Sequence, residues 1–305
     1  MTAQVIIDGA WGSFLIGSFF ATILFGIILA QAFTYFQNCA GDARWMKVYV
    51  AVLVLFDALN TGITAAWMYT YLISSWGNAS VFSQADWMAA SDPVMIVLIA
   101  CMVELFFAWR LYVIGRQRWV TMIIVIFSVL ELLSGIGTGI AVIWVKEYTL
   151  FPRFKVIAIL WTVTGAVADV FIALGMTYYL RQAKGSYKAT DRLVDKIILL
   201  TLQNGALMTV AFAVHLALYL GVVKPYYIAL SFVMPKLYSN SVLASLNSRR
   251  ILRPLASATV LFGERSLGDS RVFASNTYQA DSPEVVVEIH QETQTDARNS
   301  HDYKC

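Results

Sequence analysis

Six polar residues interrupt long apolar runs at nearly one distance from a flanking charge or tryptophan. Asp57 lies 12 residues after Trp45 and Glu131 lies 12 after Trp119, while Glu104 precedes Arg116 by 12 and Asp169 precedes Arg181 by 12. Asn204 follows Arg192 by 12, and Lys236 precedes Arg249 by 13. On helices rising about 1.5 Å per residue, each would sit roughly 18 Å from one face of a bilayer core about 30 Å thick. Carboxyls and an ammonium at that depth could bind a ligand, carry protons or pair with one another. A charge at the bilayer centre costs about 2.5–3.5 kcal/mol on insertion scales, so these groups are expected on inward faces around one central cavity. With one lysine among four acids, strict pairing leaves about three carboxyls over. Those must be neutral or hydrated, because removal from water disfavours charge.

Helical spacing gives each residue neighbours on its own face. Asp57 shares a side with Thr61 and Thr64, Glu131 with Gly135 and Thr138, and Asp169 with Thr162, Gly165 and Ala173. Lys236 aligns with Asn240 and Asn247, and Asn204 with Met208, Ala211 and His215. The plain alternative is that the layer is structural glue, each hydrogen bond between helices being worth about 0.6 kcal/mol. In that reading Lys236 is an ion-pair partner of Asp169 or Glu104, and His215 a satisfied core residue. Gly135-Ile136-Gly137-Thr138-Gly139 lies within an apolar run with no preceding strand, so it reads as close helix packing and not as a nucleotide loop.

The elements that must carry this layer are long. Hydrophobic residues make up 59% of the 305 and charged residues 13%, against roughly 45–50% and about 25% in soluble domains. With a mean hydropathy of +0.66, a soluble enzyme and a disordered chain are both excluded. Apolar segments run over 12–36, 45–76, 91–115, 119–146, 155–181, 193–222 and 226–247. Trp11, Trp45, Trp76, Trp119, Trp144, Tyr35, Tyr148, Tyr178 and Tyr179 gather near their ends, as interfacial aromatics do. The fold class expected is all-α: an integral membrane bundle of seven transmembrane helices over residues 1–253. The partner implied is the lipid bilayer, of the plasma membrane or another endomembrane.

Lys and Arg set the orientation. With the N-terminus outside, 13 fall at inner loops or after the last helix, from Arg44 to Arg253, and 4 fall outside: Lys146, Arg153, Lys155 and Lys224. The one sequon, Asn78-Ala79-Ser80, falls on the same outer side and makes Asn78 the glycosylation candidate. The first residues lack the basic start of a signal peptide, so the first span is expected to remain as a helix. Residues 254–305 carry 4 basic and 8 acidic residues and are rich in Ser and Thr, which reads as a disordered cytosolic tail. The basic inner loops and this tail could contact a cytosolic partner or anionic headgroups, although the loops also serve plain topology. Cys39, Cys101 and Cys305 make no disulfide framework.

Several helix-end sequences carry a resemblance. They are Phe56-Asp57, Phe106-Phe107-Ala108-Trp109-Arg110, Ala168-Asp169 through Tyr178-Tyr179-Leu180-Arg181, Thr190-Asp191-Arg192-Leu193, Lys236-Leu237-Tyr238-Ser239-Asn240-Ser241 and Leu243-Ala244-Ser245-Leu246-Asn247-Ser248-Arg249-Arg250. Over roughly residues 12–253 the chain resembles an uncharacterised seven-pass membrane protein family of basidiomycete fungi, domain of unknown function 6534. The resemblance implies the fold and a fungal membrane location, and brings no activity, ligand or catalytic residue.

Three classes of function compete. A receptor or sensor fits seven helices, basic inner loops and a phosphorylatable tail. The marks of common G-protein-coupled receptors are missing, since Trp109 and not an acid precedes Arg110, and Met234-Pro235-Lys236-Leu237-Tyr238 departs from their seventh-helix motif. A proton-coupled carrier would use the midplane carboxyls, with Pro235 freeing a carbonyl one turn earlier, although no internal repeat is found. A retinal protein lacks the acid one turn before its lysine, Phe232 holding that place. An enzyme is not expected: one His lies within a span, no Gly-X-Ser-X-Gly occurs, and Asp57 and Asp169 follow Phe and Ala where an intramembrane aspartyl protease has Tyr and Gly. No catalytic residue, metal, cofactor or nucleic acid is assigned; the ligand candidates are Asp57, Glu104, Glu131, Asp169, Asn204, Lys236 and Asn240. A structural or partner-holding membrane protein is the remaining reading. In sealed right-side-out vesicles, added protease is expected to spare an epitope placed after Pro254, and its loss without permeabilisation would reverse the orientation.

Overall fold

A chain in hydrocarbon has to satisfy each backbone N–H and C=O within itself, and helices do this within a single segment. The computed structural model describes residues 3–75, 84–182, 188–222 and 226–248. All of them fall in the unit Met1–Val260, which is distinct from Leu261–Cys305. Asn78 and the tail 254–305 lie outside the described residues, as does the domain boundary expected at 253. The elements are α1 (Ala3–Asn38), α2 (Arg44–Tyr69), α3 (Trp87–Gly115), α4 (Arg118–Val145), α5 (Lys155–Gln182), α6 (Lys188–Gly221), α7 (Tyr227–Ser231) and α8 (234–248). A π-helical turn, Thr70–Ser74, prolongs α2, and a 3-10 helix, Tyr148–Phe154, leads into α5.

Six of these helices are long and apolar enough to cross a membrane. The seventh expected segment is present as two pieces, α7 and α8, separated at residues 232–233. Pro235 accounts for the interruption, because it has no N–H to give the carbonyl of Ser231 and its ring crowds that carbonyl. The third segment begins four residues before its expected start. The Asp86 side chain accepts from the Trp87 N–H at 2.6 Å and so begins the helix ahead of Asp92 and Pro93.

Each helix packs on the next in chain order, and α7 packs on α1. The third helix also meets α5 and α7, and it is the most enclosed of the six. Outward faces are apolar: Phe19, Ile23, Phe33, Leu133 and Leu174 are exposed, while Asp57, Glu104, Glu131, Asp169 and Lys236 are buried. Trp119 and Trp144, the most exposed large hydrophobic side chains among the described residues at 77% and 83%, stand near opposite ends of α4. Their separation of 25 residues corresponds to about 37 Å, the spacing of two interfacial belts.

Small residues set how closely the helices approach. A Cβ at Gly135 would overlap the Val97 side chain, and one at Gly139 would lie 2.6 Å from Val94 and 2.9 Å from the carbonyl of Ala90. The glycine run of α4 is thus its seam with α3. Gly135→Val is expected to destabilise the protein by about 1–3 kcal/mol through overpacking, read as a fall in melting temperature in detergent. Gly26→Ala, where nothing lies within 4 Å, should show no such fall.

Candidate functional site

The six midplane residues separate into two groups instead of ringing one central cavity. The first is a buried ion pair. Lys236 Nζ, on α8, lies 3.2 Å from Asp57 Oδ1 with both side chains fully enclosed. It also donates to the Asp57 carbonyl at 3.0 Å and to Asn60 Oδ1 at 2.8 Å. The partner is therefore Asp57 on α2, and not the expected Asp169 or Glu104. Asp57 and Asn60 lie three residues apart on one helical face, so a single lysine can meet both. Phe25 of α1 contributes its ring 5.7 Å from Nζ.

Asn240, one of the ligand candidates, braces α8 against α1 through its amide nitrogen and leaves its Oδ1 buried without a partner. Its Nδ2 donates to the carbonyl of Lys236 at 2.8 Å and to that of Leu24 in α1 at 3.4 Å. Asn247 repeats the arrangement, donating to the carbonyl of Gln31 at 2.9 Å.

The second group holds three acids from three helices. Glu104 of α3 and Glu131 of α4 adjoin each other and Asp169 of α5, with Ser128 beside Glu104 and Trp161 beside Glu131. None of the four glutamate oxygens meets a donor at hydrogen-bonding geometry. Gly165 makes room for this group, since a Cβ there would stand 2.7 Å from Glu131 Oε1. Asp169 Oδ2 accepts from the Tyr238 hydroxyl at 2.9 Å. Asp169 and Asn204 share a cleft of about 330 Å³ with Thr201, Tyr238 and Ser241.

A larger pocket, about 520 Å³ of non-atom space partly open to the surroundings, lies at the end of the bundle where α2 finishes and α3 begins. Trp67, Trp161, Tyr219, Tyr227, Phe151 and Phe154 give it an aromatic wall, and Asp92, His215 and Ser231 are its polar members. Ser231 donates to Asp92 Oδ2 at 2.6 Å and so ties α7 to α3. The loops cover this end: the Ala85 N–H bonds the carbonyl of Lys146 at 2.5 Å, and the hydroxyls of Tyr71 and Tyr219 bond the carbonyls of Gln84 and Phe151. His215, expected to be a satisfied core residue, packs edge-on against Trp161 and Tyr227 and leaves Nδ1 without a partner. Asp92 Oδ1 is also buried and unpartnered, whereas Trp67 and Tyr148 stand beside Tyr71 and Trp161 beside Glu131. Burial pushes the Tyr148 phenol well above its ordinary pKa, with neighbouring Tyr71, Tyr227 and Asp92 adding to the effect, so it remains a donor. Asp92 and His215 thus each bring to this pocket a buried polar atom without a partner, at a cost of about 1–3 kcal/mol apiece.

Asp92, Asn60, Ser231 and Tyr238 were not among the sequence candidates. Asp92 falls at the start of the expected segment 91–115, and the Asp86 cap makes it interior. Asn60 carried a signal, its spacing of three from Asp57.

The family described as "Family of unknown function (DUF6534)" matches residues 165–251, which takes in most of α5, all of α6, α7 and α8, and with them Asp169, Asn204 and Lys236. Neither a curated protein nor a solved structure matches the chain. The match supports the family resemblance of the helix-end sequences, and the chain is consistent with a multi-pass membrane protein of unknown function.

Removing one partner of a buried ion pair costs about 3–5 kcal/mol, whereas replacing both by apolar residues is often neutral. Lys236→Met is accordingly expected to lower the stability of the solubilised protein by about that amount, and Asp57→Leu with Lys236→Met to recover most of it. Equal losses in the single and double variants would show that the pair itself contributes net stability.

Proposed function

We propose that the protein is a receptor or sensor of seven transmembrane spans, its N-terminus outside, with α7 and α8 together forming the seventh span. The observation that carries this reading is the pocket at the N-terminal end of α3, where Asp92 and His215 keep unpartnered atoms and Asp92 meets Ser231 next to the break between α7 and α8. A ligand taking Asp92 competes with Ser231, and α7 and α8 adjust at residues 232–233. The far part of α8 meets α3 where Ser245 accepts from Arg110, so a shift at the break reaches the opposite end of the bundle. There the basic loops and the tail would meet a cytosolic partner. The fungal seven-pass setting implied by the resemblance accords with this reading.

One observation favours a proton-coupled carrier instead. Glu104, Glu131, Asp169 and Tyr238 bring three carboxyls and a phenol together with no cation among them, an arrangement able to hold and pass protons. Proteoliposomes enclosing a pH dye separate the two. The expected result is no proton flux beyond that of empty liposomes, in the unaltered protein, Asp169→Asn and Lys236→Met alike. Solute-dependent flux abolished by both substitutions would replace the sensor reading with the carrier.

A further inference from the structure

The pocket's chemistry indicates what it would hold. We infer that it accepts a small organic ammonium ion with an apolar body, its N–H directed at Asp92 Oδ1 and its charge and body against the rings of Trp67, Trp161 and Tyr227. This rests on reading the pocket as a ligand site, and adds the ligand's chemical class.

Three observations converge. Asp92 is 8% exposed, spends one carboxyl oxygen on Ser231 and leaves the other without a donor. The ammonium that could have neutralised it, Lys236, is held by Asp57 and Asn60. The wall is built largely of aromatic rings, whose faces attract cations and whose edges enclose an apolar body. Lys146, Arg153 and Lys155 are exposed at this end of the bundle and do not line the pocket. An anion would meet Asp92 with no cation to hold it. A neutral guest would leave the carboxyl without a counter-charge. A cationic N–H supplies a charge-assisted bond, stronger than a neutral one.

The test is equilibrium dialysis of the full chain in nanodiscs against benzylamine, benzyl alcohol and benzoate, three probes of one size and different charge. Benzylamine is expected to bind about ten-fold or more tighter than benzyl alcohol, and benzoate more weakly than either. Asp92→Asn should abolish the preference for benzylamine. Ser231→Ala, which removes the same hydrogen bond and keeps the carboxyl, should retain it. If Asp92→Asn fails to elute as a single species like the unaltered protein, the ratio of benzylamine to benzyl alcohol in the unaltered protein decides alone. Equal binding of the two, or stronger binding of benzoate, overturns the inference. Benzyl alcohol binding that Ala89→Phe blocks by filling the pocket would in that case preserve the ligand site and discard only its charge preference. Failure of all three probes to bind would remove both.

Discussion

The ammonium of Lys236 has three protons and no water to receive them, and much of the bundle is arranged around that fact. Its acceptors are a carboxylate, the backbone carbonyl of the same residue and the side-chain amide one turn on, all supplied by α2. Meeting three acceptors fixes α8 against α2 in depth and rotation. From the same helix Asn240 and Asn247 reach α1, Tyr238 reaches Asp169 on α5, and Ser245 receives Arg110 of α3. Four helices thus refer their positions to one fifteen-residue segment. Hydrocarbon provides little lateral preference between apolar helices, so directional polar contacts of this kind contribute to the choice of packing.

The two buried groups solve the same problem differently. Asp57 has a cation, and the pair is electrically closed. Glu104, Glu131 and Asp169 adjoin one another with no cation among the residues beside them. Tyr238 donates its hydroxyl to Asp169 of this group. The difference gives each group its own scope: a closed pair positions helices, whereas a proton-holding group can change occupancy without any helix moving.

The all-helical fold and its long apolar helices were legible because they follow from hydrophobic run length and from a fixed rise per residue. The inward placement of Asp57, Glu104, Glu131, Asp169 and Lys236 was legible too, since lipid penalises the alternative. Pairing was not. Five groups at one depth can be joined in many ways, and the choice of Asp57 for Lys236 depends on α2 and α8 being close in space, which equal spacing along the chain does not encode. The pocket was less legible still. Its members come from α2, α3, α4, α5, α6 and α7 and from the 3-10 helix, and each taken singly reads as an interfacial aromatic or a span edge. Asp92 illustrates the difficulty, because an acid followed by proline in an apolar context has the local signature of a helix start. Only the cap at Asp86 makes it interior.

The relative placement of pocket and ion pair bears on which kind of function the fold suits. Movement of a solute from the pocket toward the other end of the bundle would meet the Lys236–Asp57 pair, fully enclosed, and beyond it the packed side chains of Phe106, Phe107, Val242 and Leu246. Opening that path means separating a buried pair, at about 3–5 kcal/mol, in addition to parting the core. A response to ligand has a smaller requirement. Coupling between sites is typically about 1–3 kcal/mol, close to the worth of one hydrogen bond to a charged group. The Ser231–Asp92 contact is such a bond, and it lies one residue before the point where the helix is already interrupted. In the sensor proposed above, exchanging it for a bond to ligand would leave the ion pair intact and act at the junction between α7 and α8.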